Sequence, residues 1–172
     1  DDWLEGLNPA SEPYWRFLYL LARELKPAVA VVIGTWKGED VAHLARGCAG
    51  LVLGIDPNPH GQWDEIQKRC SNARFLVGEA HEVDLPKLAC HVGLVFQDST
   101  HHYLESVREW ERFFPLLAPG SLWVCDDITP AFHDTDIDPP GLGMVEYFHS
   151  RPGEGRLFPA LHRGSVIGVV MP

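Results

Sequence analysis

The chain has 172 residues, 45% hydrophobic and 22% charged, and its 24 acidic against 14 basic residues give a formal charge of −10. That length suits one domain over residues 1–172, with a core large enough to need no disulfide or metal staple. The acidic balance, with no basic cluster to offset it, argues against nucleic acid as a partner.

Tyr14 to Leu25 reads as a helix that docks on a sheet. Its apolar run is broken by Arg16, Arg23 and Glu24, so it cannot cross a bilayer, which takes about 20 apolar residues. It also lacks the basic-then-apolar order of a signal peptide, and no membrane partner is expected. Cys48, Cys70, Cys90 and Cys125 form no CxxC pair and read as buried thiols of a reducing, cytoplasmic compartment.

Ala28 to Ile33 and Leu51 to Ile55 are runs of Val, Ile and Leu without alternation, as in parallel strands buried on both faces. Between them Glu39 and Asp40 open a helical pattern through Ala45, with acids at its positive end. The alternation continues with a helix at Trp63 to Cys70, a strand at Arg74 to Val77 and a short helix at Val83 to Leu88. A strand at Val92 to Gln97, a helix at His102 to Leu117 and a strand at Ser121 to Cys125 follow. Repeated β-then-α segments imply a mostly parallel sheet covered by helices on both faces. After a loop at Thr129 to Gly143 and a helix at Met144 to Ser150, the strands Arg156 to Leu161 and Ser165 to Met171 are three residues apart. They must form an antiparallel hairpin, since a parallel crossover takes a dozen or more residues.

Ligands of such sheets sit beyond the strand C-terminal ends. The first strand runs into Gly34-Thr35-Trp36-Lys37-Gly38, where glycines let the backbone approach a ligand and the next helix offers free N–H groups. No Lys-Ser/Thr follows the second glycine and no GxGxxG is present, which removes the phosphate loop and the dinucleotide fingerprint. The second strand ends in Asp56, placed to accept both hydroxyls of a ribose or to serve as a turn residue. The third ends near Glu79, which could face adenine or be a solvated acid.

The fourth strand ends in Asp98 and the fifth in Asp126-Asp127. Neighbouring strand ends bring the three carboxylates together, and such a cluster repels itself unless protonated or neutralised by a cation such as Mg²⁺, Mn²⁺ or Ca²⁺. Asp126 or Asp127 could equally cap a turn. His101 and His102 abut the cluster, and either could take a proton from a hydroxyl or simply face solvent. The stretch His133-Asp134-Thr135-Asp136-Ile137-Asp138 lacks the glycine and the distal glutamate of an EF-hand and reads as a lid beside the site or as a simply solvated loop.

Taken in order, VVIGTWKG at 31–38, GID at 54–56, the Asp98-x-x-His101-x-Tyr103 segment and LLAPGSLWVCDD at 116–127 resemble the class I S-adenosylmethionine-dependent methyltransferases. The likeness is to small O-methyltransferases of the catechol and caffeoyl-CoA type and to cephalosporin-methylase-like bacterial enzymes. It implies a Rossmann-like seven-stranded sheet whose last strand is reversed. It further implies S-adenosylmethionine as cofactor, held by Gly34, Thr35, Gly38, Asp56, Glu79 and Asp98. By the same resemblance a divalent metal such as Mg²⁺ would be held by Asp98, Asp126 and Asp127, with His101 and Asp98 as the catalytic pair.

The expected reaction is methyl transfer to a hydroxyl of a small molecule. Many members carry an acid where this chain has Val32. That departure supports an alternative, a non-catalytic binding or partner subunit on the same fold. A nucleotide-dependent oxidoreductase is a further one, disfavoured by the missing GxGxxG. The short N-terminus leaves either an open pocket or a homodimer in which a second copy completes it.

Overall fold

The computed structural model describes residues 13–85, 91–130, 137–162 and 165–171. Its strands are β1 (Val29–Ile33), β2 (Leu51–Asp56), β3 (Ala73–Val77), β4 (Val92–Gln97), β5 (Leu117–Cys125), β6 (Glu154–His162) and β7 (Ser165–Met171). Five helices, α1 (Pro13–Leu25), α2 (Glu39–Gly47), α3 (Gln62–Arg69), α4 (Tyr103–Phe113) and α5 (Met144–His149), complete the described part. All seven strands form one sheet in the order β3-β2-β1-β4-β5-β7-β6. The five from β3 to β5 are parallel, and β7 runs antiparallel to both β5 and β6. The Rossmann-like sheet and its reversed C-terminal pair are as the sequence predicts.

Continuous apolar runs are needed because both faces are covered. On β1, Ala30 and Val32 join a core with Leu18, Ala22, Val41 and Leu44 from α1 and α2, while Val31 and Ile33 join a second core with Trp110, Phe113, Tyr147 and Phe148 from α4 and α5. A strand sandwiched in this way has no polar face to show in its sequence.

Several boundaries differ from the expected ones, and β5 starts four residues before the expected Ser121. The helix expected through Leu117 ends at Phe113 and tightens into a 3₁₀ turn at Phe114–Leu116. Pro115 has no N–H to continue the α pattern, and β5 begins at Leu117, paired with Val92. The helix expected at Val83 to Leu88 is absent from its described part, 83–85, and Leu85 precedes a proline, which biases it away from helical angles. Residues 86–88 lie outside the described residues. Strand β6 starts at Glu154, two residues before the expected Arg156.

Cys48, Cys70 and Cys125 are free thiols whose burial raises them above the ordinary cysteine range, and Cys90 lies outside the described residues. No helix among the described residues is long and apolar enough to cross a membrane.

Helices α1 and α2 meet where Trp15 stacks on His43, ring centroids 5.4 Å apart. Burial, with the Arg46 charge nearby, pushes the His43 imidazole down from 6.5 to about 4. Above pH 6.5 the folded and unfolded chains both hold it neutral. Below 6.5 the unfolded chain gains a proton that the folded one refuses until about 4, so stability falls as pH falls through this window, by about 3 kcal/mol in all. Urea unfolding at pH 7 and pH 4.5 should therefore show a smaller acid-induced loss in His43→Gln than in the wild type.

Candidate active site

The C-terminal ends of the parallel strands open into a cavity of about 550 Å³ whose wall includes Gly34, Trp36, Asp56, Glu79, Asp98 and Glu109. It lies where the sheet order reverses between β1 and β4, the switch point at which open α/β sheets bind ligands. Gly34 has φ +80°, and a Cβ there would stand 2.0 Å from the carbonyl oxygen of Asp98. Only glycine lets the two strand ends come so close. Two other turn residues are buried. Thr35 is buried, with no hydrogen-bond partner for Oγ1 among the described residues, and Gly38 packs under Ile66 and the Phe75 ring.

Asp56 joins the turn to the second strand. Its Oδ2 accepts the N–H of Trp36 and its Oδ1 that of Asn58, both at 2.8 Å. Trp36 sits at φ +42° and is held from the other side by the Trp63 indole N–H, which donates to its carbonyl at 2.8 Å. The two tryptophans then differ. Trp63 is buried and stacked on Phe75, whereas the Trp36 indole is 60% exposed at the rim with the Lys37 ammonium over it. Phe132, a third aromatic residue of the surrounding loops, lies outside the described residues.

Beyond Asp98 the sheet edge carries an acidic cluster. His101 Nε2 lies 3.2 Å from Asp98 Oδ1 and 3.7 Å from Asp127 Oδ2, and one ligand atom from each of the three falls within 4.8 Å of the others. Of the three expected carboxylates the structure thus brings together Asp98 and Asp127, with His101 as the third member. Asp126 is 2% exposed and its Oδ1 accepts the N–H of Asp127 at 2.8 Å, a turn-capping role. His101 and Asp127 both adopt left-handed backbone, φ +60° and +53°, an arrangement that persists only where surroundings enforce it. Burial by itself would lower the His101 imidazole, but the hydrogen bond and charge of Asp98, then Asp127 and Asp126, override it and raise it above 6.5. The ring lies between two carboxylates, whose charges favour its protonated form.

His102 takes no part in that cluster. Its Nδ1 lies 3.7 Å from Asp138 Oδ2, and the same carboxylate accepts the N–H of Leu104 at 3.3 Å, capping α4 from the far end of the 129–143 loop. Residues 133–136 of the expected lid lie outside the described residues.

Reading strand ends missed a polar network that joins the last residue of β4 to α4. Gln97 is a buried hub whose Oε1 accepts from Trp123 Nε1 at 3.0 Å and Tyr147 OH at 2.8 Å, and whose Nε2 donates to Glu109 at 2.6 Å. Ser99 Oγ donates to the same Glu109 oxygen at 2.9 Å. Burial pushes the Glu109 carboxyl up to about 7 against those two hydrogen bonds, helped by the charges of Glu105 and Glu79. An acid on the buried Ser106-Trp110-Phe113 stripe of a helix is the sequence signal that points to it.

A family described as "Methyltransferase domain" matches residues 31–128, more than half of the chain. The chain belongs to this methyltransferase-domain family. The matched segment holds the glycine turn, Asp56, Glu79 and the whole acidic cluster. No curated protein sequence matches the chain.

Among solved structures the domain is similar to the O-methyltransferase TomG of Streptomyces achromogenes, involved in tomaymycin synthesis and solved with SAM. That pair is 19% identical over 92% of this chain and 79% of TomG, with a TM-score of 0.67. A Bacillus cereus O-methyltransferase solved with SAH is 18% identical over 92% of this chain and 80% of that one, at TM-score 0.68. A 1,6-didemethyltoxoflavin-N1-methyltransferase of Burkholderia thailandensis is 16% identical over 99% and 83%, at 0.65. These likenesses establish a shared fold.

In this methyltransferase domain Gly34→Ala is expected to cost about 2–5 kcal/mol, the sum of a left-handed Cβ and of overpacking against Asp98. Gly120→Ala, also at positive φ but with nothing within 4 Å, should lose only the backbone part, about 1–2 kcal/mol. Urea unfolding of the two variants separates close approach from conformation.

Proposed function

We propose that the domain, taken as one catalytic unit over residues 1–172, transfers a methyl group from S-adenosylmethionine to a hydroxyl of a small molecule. The observation that carries this reading is a cavity with the Asp56 clamp on its wall and, adjoining it through the shared Asp98, the Asp98-His101-Asp127 cluster. Thr35 and Gly38, the other expected ligand residues of the glycine turn, are buried and do not line the cavity. TomG and the Bacillus cereus enzyme are O-methyltransferases solved with SAM and SAH, while the Burkholderia relative methylates nitrogen. A hydroxyl must shed a proton as it attacks, and a cluster of one imidazole and two carboxylates is equipped to take it. A ring N–H would make the same demand, so the choice of oxygen rests on the two O-methyltransferase neighbours.

Asp56 would hold the ribose hydroxyls, since each of its oxygens spends one lone pair on a backbone N–H and keeps another. Gly34 keeps the turn low enough for the ligand to lie across the strand ends. When bound, S-adenosylmethionine supplies an electrophilic methyl on a sulfonium. The protein's share is then alignment, which in intramolecular systems accounts for about 7–11 kcal/mol of barrier.

Two carboxylates and an imidazole also fit a divalent cation such as Mg²⁺ or Mn²⁺, which would acidify the acceptor hydroxyl. His101 has one role in each case. As a ligand it commits the Nε2 lone pair to the ion, and as a base it must give up the proton that Asp98 and Asp127 now stabilise.

Calorimetry with S-adenosylhomocysteine tests the reading directly. Binding is expected, weakened about tenfold or more in Asp56→Ala, and its absence in the wild type overturns the proposal. Methylation of a phenol and alcohol panel with and without chelator decides on the metal. Activity that survives chelator but falls at least about a hundredfold in His101→Ala assigns proton removal to the imidazole.

A further inference from the structure

The cavity wall carries a second acid below the rim that the sequence reading did not assign. Glu109 is 5% exposed, reaches the cavity from α4, and directs both of its hydrogen bonds through one oxygen. The orientation of every partner is fixed. An indole N–H can only donate, so the Gln97 atom facing Trp123 must be its oxygen, and its amide nitrogen is left to donate to Glu109 Oε2. Ser99 Oγ donates to the same Oε2. The other oxygen, Oε1, receives neither bond.

Three constraints say what should meet that oxygen. Asp56 anchors one part of a nucleoside-bearing ligand and the Asp98 cluster receives its reactive end. The remaining wall, Glu79 to His81 with Ser99, Thr100 and Glu109, is therefore left for the base. That wall is acidic, so the ligand edge facing it must donate hydrogen bonds. Glu79 stands on the same wall but is exposed, and a solvated acid discriminates weakly because water replaces its partner. A buried carboxylate has no such replacement, and sites of that kind reject ligands that leave them unpaired.

We propose that Glu109 Oε1 accepts a hydrogen bond from the exocyclic amine of the cofactor's adenine, so that the site selects 6-amino over 6-oxo purines. The inference rests on the reading that an S-adenosyl ligand occupies this cavity. Gln97 and Ser99 supply the selectivity indirectly, by holding Oε2 and so presenting Oε1.

The geometry makes Glu109→Gln informative. Both donors point at the Oε2 position, so the variant's amide must place its oxygen there and turn its NH₂ into the cavity. A donor would then face the adenine amine, while a 6-oxo purine would gain a partner. The test is calorimetry of S-adenosylhomocysteine and S-inosylhomocysteine at pH 8, above the carboxyl's value of about 7, with thermal melts to show that each variant is folded. The wild type is expected to prefer the adenosyl ligand by about tenfold or more, and Glu109→Gln to reduce that ratio by about tenfold or more. Glu109→Asp keeps the charge but draws the carboxylate back along α4, and should also lose the preference.

A purely structural role for Glu109 weakens both ligands together and leaves the ratio unchanged, which overturns the proposal. So does a wild type that binds both ligands equally. A wild type that binds neither overturns the donor assignment itself, and this inference with it, so the two failures are told apart.

Discussion

The site depends on how closely two strand ends are allowed to approach. Gly34 and Asp98 lie side by side where β1 gives way to its turn and β4 to its loop, with no room for a side chain on the glycine. The Asp98 N–H donates to the Ile33 carbonyl at 2.8 Å and the Gly34 N–H to the Ile55 carbonyl at 2.9 Å, so the ladder continues past the nominal strand ends on both sides of β1. Three loops therefore leave the sheet from a rigid base. The cavity is the space between them, and the Asp56 bonds to the Trp36 and Asn58 amides set the height of its rim.

A second constraint is polar and lies inside the core. Gln97 ends β4 at 1% exposure and gathers donors from β5 and α5 on its oxygen while giving its own donor to α4. A satisfied buried network of this kind is rigid, because any shift leaves a polar atom unpaired. The two donors to Glu109, Gln97 and Ser99, flank Asp98 in sequence. The residue shared by cavity and cluster thus sits between two positions tied to the same carboxylate. Holding a carboxyl at about 7 inside a core opposes folding, and the return for that cost is a fixed acceptor in a cavity wall.

The fold was legible because covered parallel strands leave long Val, Ile and Leu runs, and because three residues between two strands permit only a hairpin. Strand ends also named most of the cavity wall, with Gly34, Asp56, Glu79 and Asp98 all on it. What the sequence could not separate was direction. Asp126 and Asp127 are adjacent, and which one faces the cluster depends on a left-handed turn at Asp127 that aspartate tolerates but does not announce. Thr35 and Gly38 belong to the same turn as Gly34 yet serve the packing around it. Glu109 escaped notice because a scan of strand ends does not visit the buried face of a helix, although an acid among Ser106, Trp110 and Phe113 is conspicuous on chemical grounds.

Val32 acquires a different meaning in this frame. Its side chain is fully buried with Ala30, Val41 and Leu44, in the core on the α1–α2 side, while its neighbour Ile33 lines the cavity. An acid at position 32 would lie in that core, where an unpaired charge costs several kcal/mol. Recognition of a charged ligand in this chain has to come from elsewhere, and the acids that reach the cavity are spread over β2, α4 and the loops after β3 and β4. Anchoring is thereby moved off the first strand, whose part is to bring the glycine turn close to Asp98, and onto elements that the Gln97 network already holds in place.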